Sequence, residues 1–453
     1  MKRNVFLLLF FCLVLLLTAC GQPVDTPPGE SQTEDPTSEK DAVSEPEAEQ
    51  TLTISICYNH NATAVQTAAE RFEELHPGLA IEVVCYDGDT TAYRQQVTTQ
   101  LLSGTATDLV DVTSFPEISF FDSGLLADIY PLMENDPNFD PAEYYTNVFD
   151  AMSYNGKMVV FPTAFSYDFI GVNSTCSPEL VEAYSQLETV SDQQLISFYT
   201  GLADPGGRAG AYNLDAGTLI DANLRTFVDF ENKTCSFDTP EFIQLLKDVQ
   251  AATDPEKIAR GELGWSTISS PYRADLEAEA QKYLFSVGDI YGLLPFQETM
   301  PFTHYIPHAN EEGAIIIMPT KRFSINAASP NQDLAWEFLR FLTTPEANED
   351  VRLSSYPVHR ELFREYATGV ATEWANIFSA QEALIGETPD IAEQIVTQLE
   401  AYNALPMEYQ FNLGEIDLLD MTREILSAYY SGTMTAEQAA EELQNRISLY
   451  LME

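Results

Sequence analysis

The feature that most constrains this chain is the order of its first elements after residue 50. Thr51 to Tyr58 (TLTISICY) alternates as a β-strand does, and Val65, Ala68, Ala69, Phe72 and Leu75 then recur at helical spacing until His76-Pro77-Gly78 stops them. Leu79 to Tyr86 reads as a second strand, Thr91 to Leu102 as a second helix closing at Gly104, and Asp108 to Thr113 as a third strand. Strand–helix–strand–helix–strand predicts an α/β fold with a parallel, doubly wound half-sheet. Such sheets bind ligands beyond the carboxyl ends of their strands, which directs attention to the loops at Tyr58, Asp87 and Phe115.

What precedes residue 51 is of another kind. Lys2 and Arg3 lead an apolar run from Val5 to Leu17, shorter than the roughly twenty residues of a membrane span. The run ends in Leu17-Thr18-Ala19-Cys20-Gly21, which resembles a bacterial lipobox and implies cleavage before Cys20 and lipid on its sulfur. Residues 21–50 carry nine acidic residues, one base (Lys40) and almost nothing large and apolar, the composition of a disordered spacer. About 400 residues remain, too many for one core and natural for two lobes. The formal charge of −48 argues against a nucleic-acid partner, since such a surface repels phosphates, and against a polybasic hold on lipid. Cys57, Cys85, Cys176 and Cys235 could form two disulfides in any of three connectivities. Cys57 and Cys85 end neighbouring strands, where a bridge is geometrically awkward, so free thiols remain equally open.

Further along, Ser324-Ile-Asn-Ala-Ala-Ser-Pro-Asn-Gln-Asp-Leu-Ala-Trp-Glu-Phe-Leu has Ser329 as an N-cap, Pro330 at the first helical position and Gln332 completing a capping box. The string closely resembles the "INAASPNKELAKEFL" passage of the bacterial extracellular solute-binding proteins of the sugar-binding family. Ser123-Gly-Leu-Leu-Ala-Asp-Ile-Tyr-Pro-Leu-Met133, Asn155-Gly-Lys-Met-Val-Val-Phe-Pro162 and Tyr356-Pro-Val-His-Arg360 are similar to other segments of that family, in the same order. The resemblance implies a two-lobed periplasmic-binding-protein-like fold of type II, with doubly wound sheets joined by a three-crossing hinge. It places residues 51–165 and 324–358 in the first lobe and 166–323 and 359–453 in the second. The crossings are then expected at Phe165 to Phe169, at Thr320–Ser324 and near Tyr356–Arg360. Leu180 to Thr200, Pro240 to Ala252 and a last helix with Ala439, Leu443, Ile447 and Leu451 on one face belong to the second lobe, the last opened by a Thr435/Gln438 capping box. Gly206-Gly-Arg-Ala-Gly210 lacks a preceding strand and reads as a turn rather than a phosphate loop.

Enzymatic readings are weaker. Asp122-Ser123-Gly124 has no second copy to make an aspartic-protease pair, and Pro307 breaks any helix that would place His304 and His308 on one face. No G-x-S-x-G elbow occurs, Asp87-Gly88-Asp89 is too short for a calcium loop, and no metal or cofactor is indicated. With seventy acids in the chain, some pair of carboxylates at glycosidase spacing is guaranteed and uninformative. Sugar sites pair aromatic faces with Asp, Glu, Asn and Arg. The expected ligand-binding residues are Tyr58, Asp87, Phe115, Glu117, Tyr167, Trp265, Tyr291 and Phe411, each with packing or solvation as its competing role. The family resemblance implies a monomer, lipid-anchored at Cys20 outside the cell membrane, that binds a sugar and delivers it to the permease of an ABC importer. A lipid-anchored hydrolase of polysaccharide and a sensing lipoprotein without a transporter stay open beside it.

Overall fold

The computed structural model describes residues 50–57, 62–86, 89–115, 123–201, 208–212, 224–229, 232–253, 281, 283–288, 302–348, 355–379, 388–410 and 415–452. The opening alternation forms as read. Strands β1 (Gln50–Cys57), β2 (Leu79–Tyr86) and β3 (Leu109–Asp111) are parallel, with β1 between the other two. The Ala62–Leu75 helix buries Val65, Ala68, Ala69 and Phe72, while Leu75 is exposed. The Thr90–Ser103 helix starts on Asp89, whose carboxylate accepts from Ala92 N, and ends on Gly104 in the left-handed region at φ +69°.

The sheet then becomes mixed. β4 (Phe161–Ser166) and β11 (Ile315–Ile325) join antiparallel to each other beside β3. β12 (Tyr356–Pro357) adds to the edge at β4, and β13 (Met407–Tyr409) pairs parallel with the start of β11. A second sheet holds β5 (Phe169–Asn173), β6 (Ala209–Tyr212), β9 (Tyr283–Gly288) and β10 (Phe302–Pro307), in the order β10-β5-β9-β6. A small ribbon of β7 (Val228–Asp229) and β8 (Thr234–Cys235) stands apart.

The buried side chains form two clusters: one centres on the first sheet and also takes in Phe169, Tyr283, Phe302 and Tyr305 from one face of the second sheet, and the other takes Ile170, Val172, Leu284 and Ile306 from that sheet's opposite face. β6 stands where a turn was expected. Gly210 in it has a structural reason, because a Cβ there would lie 2.9 Å from the carbonyl oxygen of Ala252 at the end of the Pro240–Ala252 helix. The expected helix over 180–200 is two, Pro178–Ser185 and Asp192–Thr200. The break comes where Val190 pairs its backbone with Pro307 and Ala309, and where Ser191 and Gln194 form a fresh capping box.

The largest departure concerns residues 360–402. The Arg360–Ser379 and Thr388–Tyr402 helices bury Phe363, Ala367, Ile395, Val396 and Leu399 in the first core, where the sequence had assigned them to the second lobe. Only the Glu415–Tyr430 and Ala436–Met452 helices at the carboxyl end enter the second core. There Ala439, Leu443, Ile447 and Leu451 line the buried face, and Thr435 and Gln438 exchange the expected capping bonds. Tyr356–Pro357 accordingly stays in the first sheet instead of leading out of it. Among the described residues the chain thus leaves the first sheet between Ser166 and Phe169 and returns to it over residues 308–314, the first two crossings.

Cys57 and Cys85 are diagonal neighbours on β1 and β2: Ile56 stands opposite Cys85 and Cys57 opposite Tyr86. Successive strand residues point to opposite faces, so the two sulfurs lie on opposite sides of the sheet and are misdirected for a bridge. Cys176 and Cys235 are thiols.

Candidate functional site

The site begins at the carboxyl end of the first sheet. Asp111, the last residue of β3, accepts from Thr113 N at 2.9 Å and from Cys57 N at 3.3 Å, tying the ends of β1 and β3 together. Tyr93 secures the same place from the helix above, its hydroxyl donating to Asp111 O at 2.8 Å and Ser55 O at 3.2 Å. Burial and the Asp111 charge hold that phenol far above its ordinary pKa, so it stays a neutral donor. Phe115 closes the turn after β3. It is buried, edge-on to Tyr93 at 5.8 Å between centroids.

Arg322 on β11 is the node of this end. Its backbone N donates to Thr113 Oγ1 at 3.1 Å, its guanidinium donates to Thr113 O and, at 2.8 Å, to the Tyr409 hydroxyl, and it sits 5.9 Å from the Tyr409 ring centre. It thus joins the end of β3, the returning strand and β13. Beside it the hydroxyls of Ser114 and Thr320 are buried without a hydrogen-bond partner among the described residues. Hydroxyls left so at a strand end are the groups a polar ligand would satisfy.

The crossings are held by two sets of contacts. One is aromatic: Phe165, Tyr167 and Phe169 run in series at 6.2 and 5.1 Å, flanked by Tyr356 at 5.2 Å from Tyr167 and Tyr402 at 5.9 Å from Phe169. Tyr167 is buried and its hydroxyl donates to Asn403 Oδ1 at 2.9 Å. The other set is polar. His308 N donates to Asp168 O, linking the first two crossings directly. His308 Nε2 lies 3.0 Å from Asp192 Oδ1, and Ser191 Oγ donates to Glu311 Oε2 at 2.8 Å. Burial works to lower the His308 pKa, but the charge and hydrogen bond of Asp192, with Asp168 and Glu311 behind, outweigh it and hold the imidazole above its usual value. Asn310 donates to Glu408, connecting the second crossing to β13.

Of the expected ligand-binding residues, Phe115 and Tyr167 lie among the described residues, and both are buried. Phe115 supports the end of β3, and Tyr167 packs the first crossing. Tyr58, Asp87, Glu117, Trp265, Tyr291 and Phe411 lie outside the described residues, as does Cys20. Sequence reasoning missed Arg322, Asn403 and Asp192, and weighed His308 only as half of a metal pair with His304. Arg322 had one signal: Lys321-Arg322 is a doublet of cations in a chain with 22 bases and 70 acids. Among the described residues no cluster of three or more His, Cys, Asp or Glu is placed to hold a metal, and no helix is long and apolar enough to cross a membrane.

Comparison with known proteins follows the same lines. The family model described as bacterial extracellular solute-binding protein matches residues 59–349. Among solved structures, an extracellular solute-binding protein family 1 member from Alicyclobacillus acidocaldarius superposes with a TM-score of 0.59 at 14% identity, covering 89% of this chain and 98% of that one. A periplasmic oligogalacturonide binding protein from Yersinia enterocolitica gives 0.59 at 15% identity, covering 89% and 99%. The sugar-binding protein MalE from Xanthomonas citri gives 0.54 at 14% identity, covering 89% and 97%. At these identities the likeness is one of fold, the type II periplasmic binding architecture. No curated protein matches by sequence.

Proposed function

Because the chain belongs to the bacterial extracellular solute-binding proteins, we propose that its two lobes close on a carbohydrate, an oligosaccharide in kind, and hand it to the permease of an ABC importer. The observation that carries this reading is a two-sheet architecture with two hydrophobic clusters and, at the carboxyl end of the first sheet, buried hydroxyls without a partner among the described residues. A solute touching both lobes shifts the balance toward closure by its differential affinity for the closed state. Descriptions of two like-folded proteins name an oligogalacturonide and a sugar, which supports the choice of carbohydrate.

In this reading Tyr58, Asp87, Glu117, Trp265, Tyr291 and Phe411 contact the solute. Phe115 and Tyr167 back the wall. The chain acts as a monomer, binds and does not turn over its solute, and is held to the outer face of the cell membrane through lipid on Cys20. A thermal-shift screen against mono- and oligosaccharides, amino acids, polyamines and metals tests it, since a ligand of the native state raises the midpoint with concentration. Stabilisation by an oligosaccharide is expected. Stabilisation by polyamines or metals alone would refute the carbohydrate assignment.

A further inference from the structure

With seventy acids against twenty-two Lys and Arg, a cation that meets no carboxylate stands out in this chain. Lys321 is one. Its side chain is partly buried on β11, and among the described residues it has neither a hydrogen-bond nor an ion-pair partner. Burial alone pushes its ammonium below the ordinary lysine pKa, the direction expected when a charge is desolvated and not compensated.

Lys321 borders a cavity of about 40 Å³ in the first lobe, between the first turns of the Ala62–Leu75 helix and strands β4 and β11. A water needs roughly 10–15 Å³ of such space, so this cavity takes a group of a few heavy atoms and no sugar ring. Most of its wall is apolar, with Val65, Phe323 and Leu342 among it. Of the other polar groups there, Thr343 already donates to Arg340 O, and the Asn348 amide to Leu342 O and Thr344 O. The Thr163 hydroxyl is uncommitted among the described residues. The cavity also lies toward the solute end of the sheet: Phe323 pairs with Asp111 at the end of β3, and Lys321 stands two residues beyond it. One cation and one hydroxyl in an apolar cup of this size match a single oxyanion, to which an ammonium bonds more strongly than to any neutral acceptor.

We propose that this cavity binds one oxyanion, a carboxylate or phosphate group, with the Lys321 ammonium and the Thr163 hydroxyl as its donors. The group arrives either as a free anion or as the acid substituent of the solute. The second source rests on the carbohydrate reading above and makes that solute an acidic sugar.

The test is the thermal midpoint of the full chain at constant ionic strength, titrated with phosphate or acetate against chloride, and with glucuronate against glucose. Lys321→Met and Thr163→Val are run beside it. Lys321→Met is expected to fold at least as stably as the parent in chloride, because it removes a half-buried ammonium that no carboxylate among the described residues pairs. The parent midpoint should rise with phosphate, acetate or glucuronate, and the affinity derived from it should fall about tenfold or more in Lys321→Met. Thr163→Val should weaken it without abolishing it. A response to phosphate or acetate identifies a free anion, and a response to glucuronate alone identifies the solute's acid group. Equal responses in parent and Lys321→Met, or no oxyanion response in the parent, would overturn the proposal. A neutral oligosaccharide that stabilises parent and variant alike, without any oxyanion effect, would sink the anion site and leave the solute-binding reading standing.

Discussion

Asp108 offers the most direct perturbation of the frame that carries the site. Its carboxylate accepts from Thr53 N at 2.8 Å, Thr53 Oγ1 at 2.7 Å, Ser329 Oγ at 2.6 Å and, more loosely, Asn331 Nδ2 at 3.4 Å. It therefore pins the start of β1 to the turn that feeds the Gln332–Phe341 helix, more than two hundred residues later. Burial tends to raise its pKa, but the bonds from Ser329, Thr53 and Asn331 outweigh that and hold it below the ordinary carboxylate value. A hydrogen bond to a charged acceptor contributes about 1.5–3 kcal/mol, and a buried donor stranded without a partner costs about 1–3 kcal/mol. The three short bonds share one carboxylate and do not add fully, so Asp108→Ala is expected to cost about 3–5 kcal/mol. Asp108→Asn keeps one carbonyl oxygen for Thr53 but turns an amide toward Ser329, for about 1–2 kcal/mol.

Urea unfolding at neutral pH, with the denaturant slope unchanged, measures both variants. The sign with pH is fixed as well. A carboxyl whose folded pKa is depressed contributes fully above its unfolded value near 3.9 and loses that contribution as pH falls through the folded pKa. The gap between parent and Asp108→Ala should therefore close on acidification. An Asp108→Ala loss below about 1 kcal/mol, or a gap independent of pH, would refute the reasoning.

Three further perturbations probe the crossings. His308 has a raised folded pKa, so its ion pair with Asp192 contributes below the unfolded value near 6.5 and is lost as pH rises through the folded pKa; in His308→Gln that slope in the urea midpoint should be gone, with Asp168, Asp192 and Glu311 left to repel one another. Gly171 in β5 lies under the Tyr305 ring, where a Cβ would come within 2.6 Å, so Gly171→Ala should cost about 1–3 kcal/mol by overpacking, and an unchanged melting midpoint would contradict that. Tyr167→Phe removes the donor to Asn403 and keeps the ring, so it should lower stability by about 0.5–1.5 kcal/mol. Calorimetric titration of the same variant with the screened solute separates the roles of Tyr167, since an affinity loss well beyond the stability loss would make it a ligand contact.

What could be read from the sequence was local. The alternation of β1, the stripe of Val65, Ala68 and Phe72, and the face of Ala439, Leu443 and Ile447 each follow from a period of 2 or 3.6 residues, and all formed. The Ser-Pro-Asn stretch was identified correctly as a helix entry but not in detail. Asn331 is the N-cap, and Ser329 gives its hydroxyl to Asp108 and accepts from Asn331 N. That partner is 221 residues away, beyond any capping rule. The same limit explains the crossings: whether residues 360–402 lie on one core or the other depends on β12 pairing with β4 and β13 with β11, neither of which leaves a local pattern. Arg322 was missed for a related reason, since its partners Thr113 and Tyr409 meet it only through tertiary register.

Small-angle scattering of the chain, alone and saturated with whichever solute raises its melting midpoint, reaches the account's core most directly. Two lobes closing on a shared solute should shrink the radius of gyration in step with occupancy. A radius that stays constant while the solute demonstrably binds would mean that the halves do not clamp, and the account would fail.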